Sequence, residues 1–191
     1  RVLGLVLRGI FLCRDEDIEW FYQQGASAIF PDYWQDFEKI VPQQERSKMV
    51  AAYYQRLTSD DQQQCLQAAR EWSIWEGRTS TLHPKKSVTD HFGNDHVALS
   101  LARIESHYFI HHSFLDENQL LRDAYRLKDV PGYIVHGRYD VVCPMTQAYA
   151  LHQAWPGADY YIAPTSGHSA SEPEIVNALV RATNELVQQN T

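Results

Sequence analysis

The 191-residue sequence is long enough for one domain carrying a subdomain, and 44% hydrophobic with 21% charged residues fits an ordinary packed core. A net charge of −7, with acids and bases interspersed, excludes the basic stripe a nucleic-acid partner needs. No apolar run reaches bilayer-spanning length, RVLGLVLRGIFL lacks a signal-peptide pattern, and the widely spaced Cys13, Cys65 and Cys143 favour a reducing, cytoplasmic setting over a disulfide framework.

Val2 to Leu7 is a continuous apolar run of the kind that forms a strand buried on both faces. A long helical stretch follows. Ile18, Phe21 and Tyr22 recur at helical spacing after the acidic start Asp15-Glu16-Asp17, with Gly25 as the stop. Asp32 to Val41 carries Tyr33, Trp34, Phe37 and Ile40 before Pro42, and Met49 to Leu57 marks another helix. Ser59 to Gln62 reads as a capping box with Ser59 as N-cap, opening a helix through Leu66, Ala69, Trp72 and Ser73 that ends near Gly77. His96 to Phe109 is again helical.

Past residue 117 the rhythm changes. Leu120 to Tyr125 reads as a helix, Tyr133 to His136 as a strand, Pro144 to Trp155 as a helix opened by its proline, Ala158 to Ala163 as a strand, and Glu174 to Gln188 as a final amphipathic helix. Alternating strands and helices predict an α/β fold with a parallel sheet, interrupted by a helical block of about 100 residues. The start on a buried-strand pattern at Arg1, without Met, is expected of the C-terminal part of a longer polypeptide.

In open parallel sheets, reactive groups lie in loops after the strands. Asp140 follows one predicted strand and His168 follows the next. This placement suits an acid that orients an imidazole and an imidazole that takes a proton from a serine, and acid before base is the α/β-hydrolase chain order. Each alone is also an ordinary loop residue: Asp140 an Asx-turn acid, His168 a solvent-facing histidine. No G-x-S-x-G occurs in the sequence, and Ser166 and Ser169 flank the histidine too closely to serve as its nucleophile. The serine is therefore expected upstream of Arg1, which would leave the isolated chain inactive.

The segments RGIFL (Arg8 to Leu12), EWFYQQGAS (Glu19 to Ser27), FPDYWQDF (Phe30 to Phe37), WSIWEG (Trp72 to Gly77), ARIESHYF (Ala102 to Phe109), PGYIVHGRYDVVCP (Pro131 to Pro144) and SGHSASEP (Ser166 to Pro173) together resemble proline iminopeptidases (prolyl aminopeptidases), α/β-hydrolases of the serine peptidase class. The resemblance covers nearly the whole chain. It implies residues 1–12 and 118–191 as the C-terminal part of an α/β-hydrolase core and residues 13–117 as an inserted helical cap. It makes Asp140 and His168 the triad acid and base. It assigns Glu76 and Glu105 to the free α-amino group of the substrate, Phe11 and Tyr22 to the proline ring, and Arg8 to a place beside that pocket. The implied partners are a peptide with a free N-terminal proline and the N-terminal half of the fold, which would carry the nucleophile elbow and an oxyanion loop. No cofactor is implied.

The acids make independent sense. Glu76 sits beside Trp72 and Trp75, and Glu105 among Leu101, Tyr108 and Phe109, where a carboxylate needs a cation. The competing reading pairs Glu105 with Arg103, Arg78 or Arg8 and leaves Glu76 as a solvated helix-end acid. Nine histidines raise a metal site, but His111-His112 and His91 with His96 lack ligand spacing. Cys143 reads as a small buried hydrophobe. Two other classes stay open: another capped hydrolase such as an esterase or epoxide hydrolase, with no need of Glu76 and Glu105, and a non-catalytic binding module on the same fold.

Overall fold

The computed structural model describes residues 2–189. It is a mixed α/β structure with a small parallel sheet and many helices. The chain divides into two compact units. One takes the residues up to Leu12, Ser80–Leu82 and those from Glu117 onward; the other takes Cys13–Thr79 and His83–Asp116.

The first unit holds the strands β1 (Leu5–Arg8), β2 (Gly132–Gly137) and β3 (Ala158–Ala163), in the order β1-β2-β3 and parallel throughout. β2 is central, and its sequence GYIVHG is buried at every position, as a strand covered on both faces must be. Leu5 aligns with Gly132 and Gly132 with Ala158, so the strands end side by side near Arg8, Gly137 and Ala163. That register sends the loops after β2 and β3 off the same edge. A Cβ on Gly137 would collide with the carbonyl oxygen of Gly167, so glycine is what lets the two loops pass in contact.

β3 keeps the bounds its sequence predicts. β1 begins three residues later than its apolar run, because pairing starts where the Leu5 N–H donates to the Pro131 carbonyl. The expected helix from Leu120 splits into a short α-helical piece, Gln119–Arg122, and a 3-10 turn, Ala124–Leu127. Ile134, Ala148, Leu151, Trp155 and Ala158 pack with Ile10 and Leu12 around the helix Met145–Ala154. Val135 and Ala163 pack on Ile175 and Ala178 of the helix Pro173–Gln189.

The second unit is helical: α1 (Asp15–Tyr22), α2 (Ala26–Ile29), α3 (Pro31–Glu38), α4 (Met49–Leu57), α5 (Gln62–Thr79), α6 (Lys86–Phe92) and α7 (Asp95–Ile110). α5 is its axis, packed on α3, α4, α6 and α7. Trp72, Trp75, Tyr53 and Phe37 are almost wholly buried, with Phe37 and Tyr53 stacked at 4.4 Å. Truncating an aromatic of this kind costs about 3–5 kcal/mol, so this cluster carries much of the unit's stability. Among the described residues, no helix is long and apolar enough to cross a membrane.

The expected cap at Ser59 fails. Asp61, not Ser59, caps α5: Asp61 Oδ1 accepts the N–H groups of Gln63 (2.9 Å) and Gln64 (3.1 Å), while Ser59 Oγ accepts the N–H of Asp61 itself. Both residues are good caps, and a carboxylate one residue before the helix also complements its dipole. The helix ends at Thr79, near Gly77 as expected, and Gly77 lies close against Phe92. Asp61→Ala is expected to lower stability by about 1 kcal/mol and Ser59→Ala by only about a few tenths, read from shifts of the urea midpoint.

Candidate active site

Asp140 lies in the turn after β2, where its N–H donates to the Gly137 carbonyl at 3.3 Å. Its side chain is 1% exposed. Oδ1 accepts the Cys143 N–H at 2.8 Å, and Oδ2 accepts His168 Nδ1–H at 2.9 Å. A buried carboxylate is costly unless its lone pairs are met, and here backbone and imidazole meet them. The bond at Nδ1 fixes the His168 tautomer and leaves Nε2 as the basic, proton-accepting nitrogen, facing Arg8.

His168 follows β3 in a loop without regular structure. Arg8, at the end of β1, brings Nη1 to 3.4 Å from His168 Nε2 and donates to the His168 carbonyl at 3.4 Å. Gly9 has φ +53°, and a Cβ there would sit 3.0 Å from His168 Cε1. The imidazole therefore rests on a backbone turn that only glycine adopts without strain. Ser166 and Ser169 turn their hydroxyls to Glu174 and Ser171.

Two polar residues of this unit carry no signal that the sequence pattern singled out. His136, on β2, is 1% exposed. Its Nε2–H donates to the Cys143 carbonyl at 2.8 Å and lies 3.4 Å from Asp140 Oδ2, while Nδ1 accepts the Ile10 N–H at 3.4 Å. It thus ties the Asp140 turn to the segment after β1. Burial holds its pKa below the ordinary value, against the raising effect of Asp140 and Cys143. Glu172, just before the last helix, is 4% exposed. A histidine near the end of a buried strand and an acid directly before a helix-opening proline are the traces by which sequence could have found them. Phe11 is half-buried between Ile10 and Leu12, the latter held by Gln147 Oε1 at 2.8 Å.

In the helical unit, Tyr22, Glu76 and Glu105 come together around Trp72. The Tyr22 hydroxyl donates to Glu76 Oε1. Tyr22 stacks on Trp72 at 4.2 Å, and Trp72 Nε1–H donates to Glu105 Oε2 at 2.8 Å. Phe109 completes the ring cluster, 5.4 Å from Tyr22. Glu76 is 8% exposed, which removes its reading as a solvated helix-end acid. Of the arginines considered as partners for Glu105, Arg78 pairs with Asp36 at 2.7 Å and Arg103 donates to the Leu57 carbonyl at 3.0 Å.

Comparison with known proteins bears on both groups. A proline iminopeptidase of Xanthomonas citri is 55% identical over 181 residues, covering 94% of this chain and 58% of the relative. The chain resembles the C-terminal portion of the proline iminopeptidases. A probable proline iminopeptidase of Leptolyngbya boryana is 50% identical over 192 residues, all of this chain and 60% of its own length. The proline iminopeptidase of Arabidopsis thaliana is 45% identical over 188 residues, 97% of this chain and 50% of the relative. The chain thus spans between half and three-fifths of these relatives. No family model matches it.

His136 yields a prediction about pH. Its folded pKa lies below the unfolded value near 6.5, so its neutral form contributes stability fully above that pH and loses it as pH falls toward the folded pKa. His136→Asn is expected to be less stable at pH 7.5, with the gap to the parent narrowing below about pH 6.5. Urea midpoints measured across that range check this; a gap that widens on acidification contradicts it.

Proposed function

We propose that the full-length protein carrying this sequence is a serine exopeptidase that releases N-terminal proline from peptides. The observation that carries the reading is the buried Asp140 carboxylate at 2.9 Å from His168 Nδ1, in loops following adjacent parallel strands. The names of the relatives add the substrate class. On this reading the sheet unit is the C-terminal part of an α/β-hydrolase core and residues 13–117 are its cap. The rest of the sheet, continuing from β1, and the nucleophilic serine come from the portion of the relatives' length that this chain does not span.

The chemistry follows from the geometry of the dyad. His168 Nε2 accepts the serine proton as the hydroxyl attacks the carbonyl carbon of the proline residue. Asp140 stabilises the resulting imidazolium without itself taking the proton. The imidazolium then protonates the leaving amine, and water, deprotonated by the same nitrogen, hydrolyses the prolyl-enzyme ester. No cofactor takes part.

Glu76 and Glu105 supply the requirement for a free N-terminus. Both are carboxylates set among Trp72, Tyr22 and Phe109, with an aromatic hydrogen bond on one oxygen each. Such groups favour a protonated amine, whose charge repays their desolvation. Tyr22 and Phe11 are the aromatic groups assigned to the pyrrolidine ring, and Arg8 borders His168.

In the full-length protein, His168→Ala and Asp140→Asn are expected to lower kcat on a proline-linked chromogenic amide about 10³-fold or more. Glu76→Gln and Glu105→Gln are expected to raise KM about 10- to 100-fold, the size of one charge-assisted hydrogen bond, with a simple ester affected far less. Undiminished kcat in His168→Ala sinks the catalytic assignment. Equal effects on amide and ester sink the amine clamp and favour a general esterase.

A further inference from the structure

The loop that presents His168 has no strand or helix to hold it, yet its backbone is tied on both sides of the histidine. The N–H groups of His168 and Ser169 both donate to the Ser80 carbonyl, at 3.0 and 2.8 Å. The Gly167 N–H donates to Glu172 Oε2 at 2.9 Å, and the Leu82 N–H donates to Glu172 Oε1 at 2.7 Å. Residues 80–82 belong to the sheet unit although their sequence neighbours on both sides do not. The 4%-exposed carboxylate of Glu172 is thus a two-pronged acceptor joining the histidine loop to a passing segment.

The position of Glu172 makes this use of its side chain specific. It directly precedes the last helix, and its own carbonyl accepts the Val176 N–H of the first turn. An acid there ordinarily serves the helix N-terminus, but both oxygens turn to N–H groups outside it. The fit is close: a Cβ on Gly167 would come to 3.0 Å from the Leu82 nitrogen and 3.4 Å from Glu172 Oε1. A carboxylate can accept at both oxygens at once; an amide of the same shape can accept at only one and sets an N–H against the other donor.

We propose that Glu172 is a positioning residue for His168, holding the Gly167–Ser169 backbone so that Nδ1 meets Asp140. This rests on the catalytic reading of His168 given above. Loosening the loop lengthens the imidazole–carboxylate bond, which weakens both the orientation of the base and the stabilisation of its imidazolium. Among the described residues, Asp140 and Arg8 contact that ring and His136 interacts with it electrostatically.

The test uses the full-length protein with Glu172→Gln and Glu172→Asp, assayed on the proline-linked amide. Glu172→Gln is expected to lower kcat about 10- to 100-fold, the scale of a misplaced catalytic group, with KM changed less than about twofold. The acid limb of the kcat/KM profile is expected to move to lower pH, because an imidazolium less stabilised by Asp140 loses its proton more easily. The low-field Nδ1 proton resonance of His168 should weaken in step. Glu172→Asp, which keeps the charge and both acceptors, should recover part of kcat. A folded Glu172→Gln enzyme with unchanged kcat, pH profile and resonance overturns the proposal. So does failure of both variants to fold, since the residue then serves the fold and not the histidine. If His168→Ala itself retains activity, the catalytic reading fails first, and the two failures are told apart.

Discussion

The hydrogen bond between His168 and Asp140 sets the demands that the rest of the sheet unit meets. An imidazole held at 2.9 Å from a buried carboxylate needs two loops fixed to within a fraction of an ångström. Neither loop is regular, so the precision comes from backbone groups. Parallel register brings both loops off one edge, and Gly137 lets them touch. The Cys143 N–H and His136 fix the acid's turn, while Ser80, Glu172 and Gly9 fix the histidine's. Apart from the close approaches at Gly137 and Gly9, each contact is an ordinary hydrogen bond worth about 0.5–1.5 kcal/mol, or more where a charge is involved. Their number, and not any one of them, defines the geometry.

The helical unit solves a different problem. It keeps two carboxylates in aromatic surroundings. Tyr22 donates to Glu76 and the Trp72 indole to Glu105, and the two donor rings stack on one another. A change to either ring therefore disturbs both acids. A pair of carboxylates that accept from neutral donors attracts an ammonium group, which is the property the proposed substrate requires.

Much of this was legible in the sequence. The strands follow from Val, Ile and Tyr runs bounded by Gly and Pro, and β3 falls where the run Ala158 to Ala163 predicts. The meeting of Asp140 and His168 follows from placing an acid and a base after neighbouring parallel strands. What escaped depends on distant partners. The start of β1 is set by Pro131. Asp61 displaced Ser59 as cap within a run where either residue type serves. α2 and α6 are too short for a periodic signal. His136 and Glu172 are polar residues whose burial only the folded chain reveals, and the backbone groups they serve leave no mark on residue type.

On the proposed reading, Asp140 and His168 act on a serine supplied from outside these 191 residues. Labelling of the full-length protein with a fluorophosphonate, followed by peptide mass spectrometry, tests it most directly. The account predicts a single modified serine outside this sequence, with labelling lost in His168→Ala. A label on Ser166 or Ser169, or one that forms equally well without His168, would contradict it.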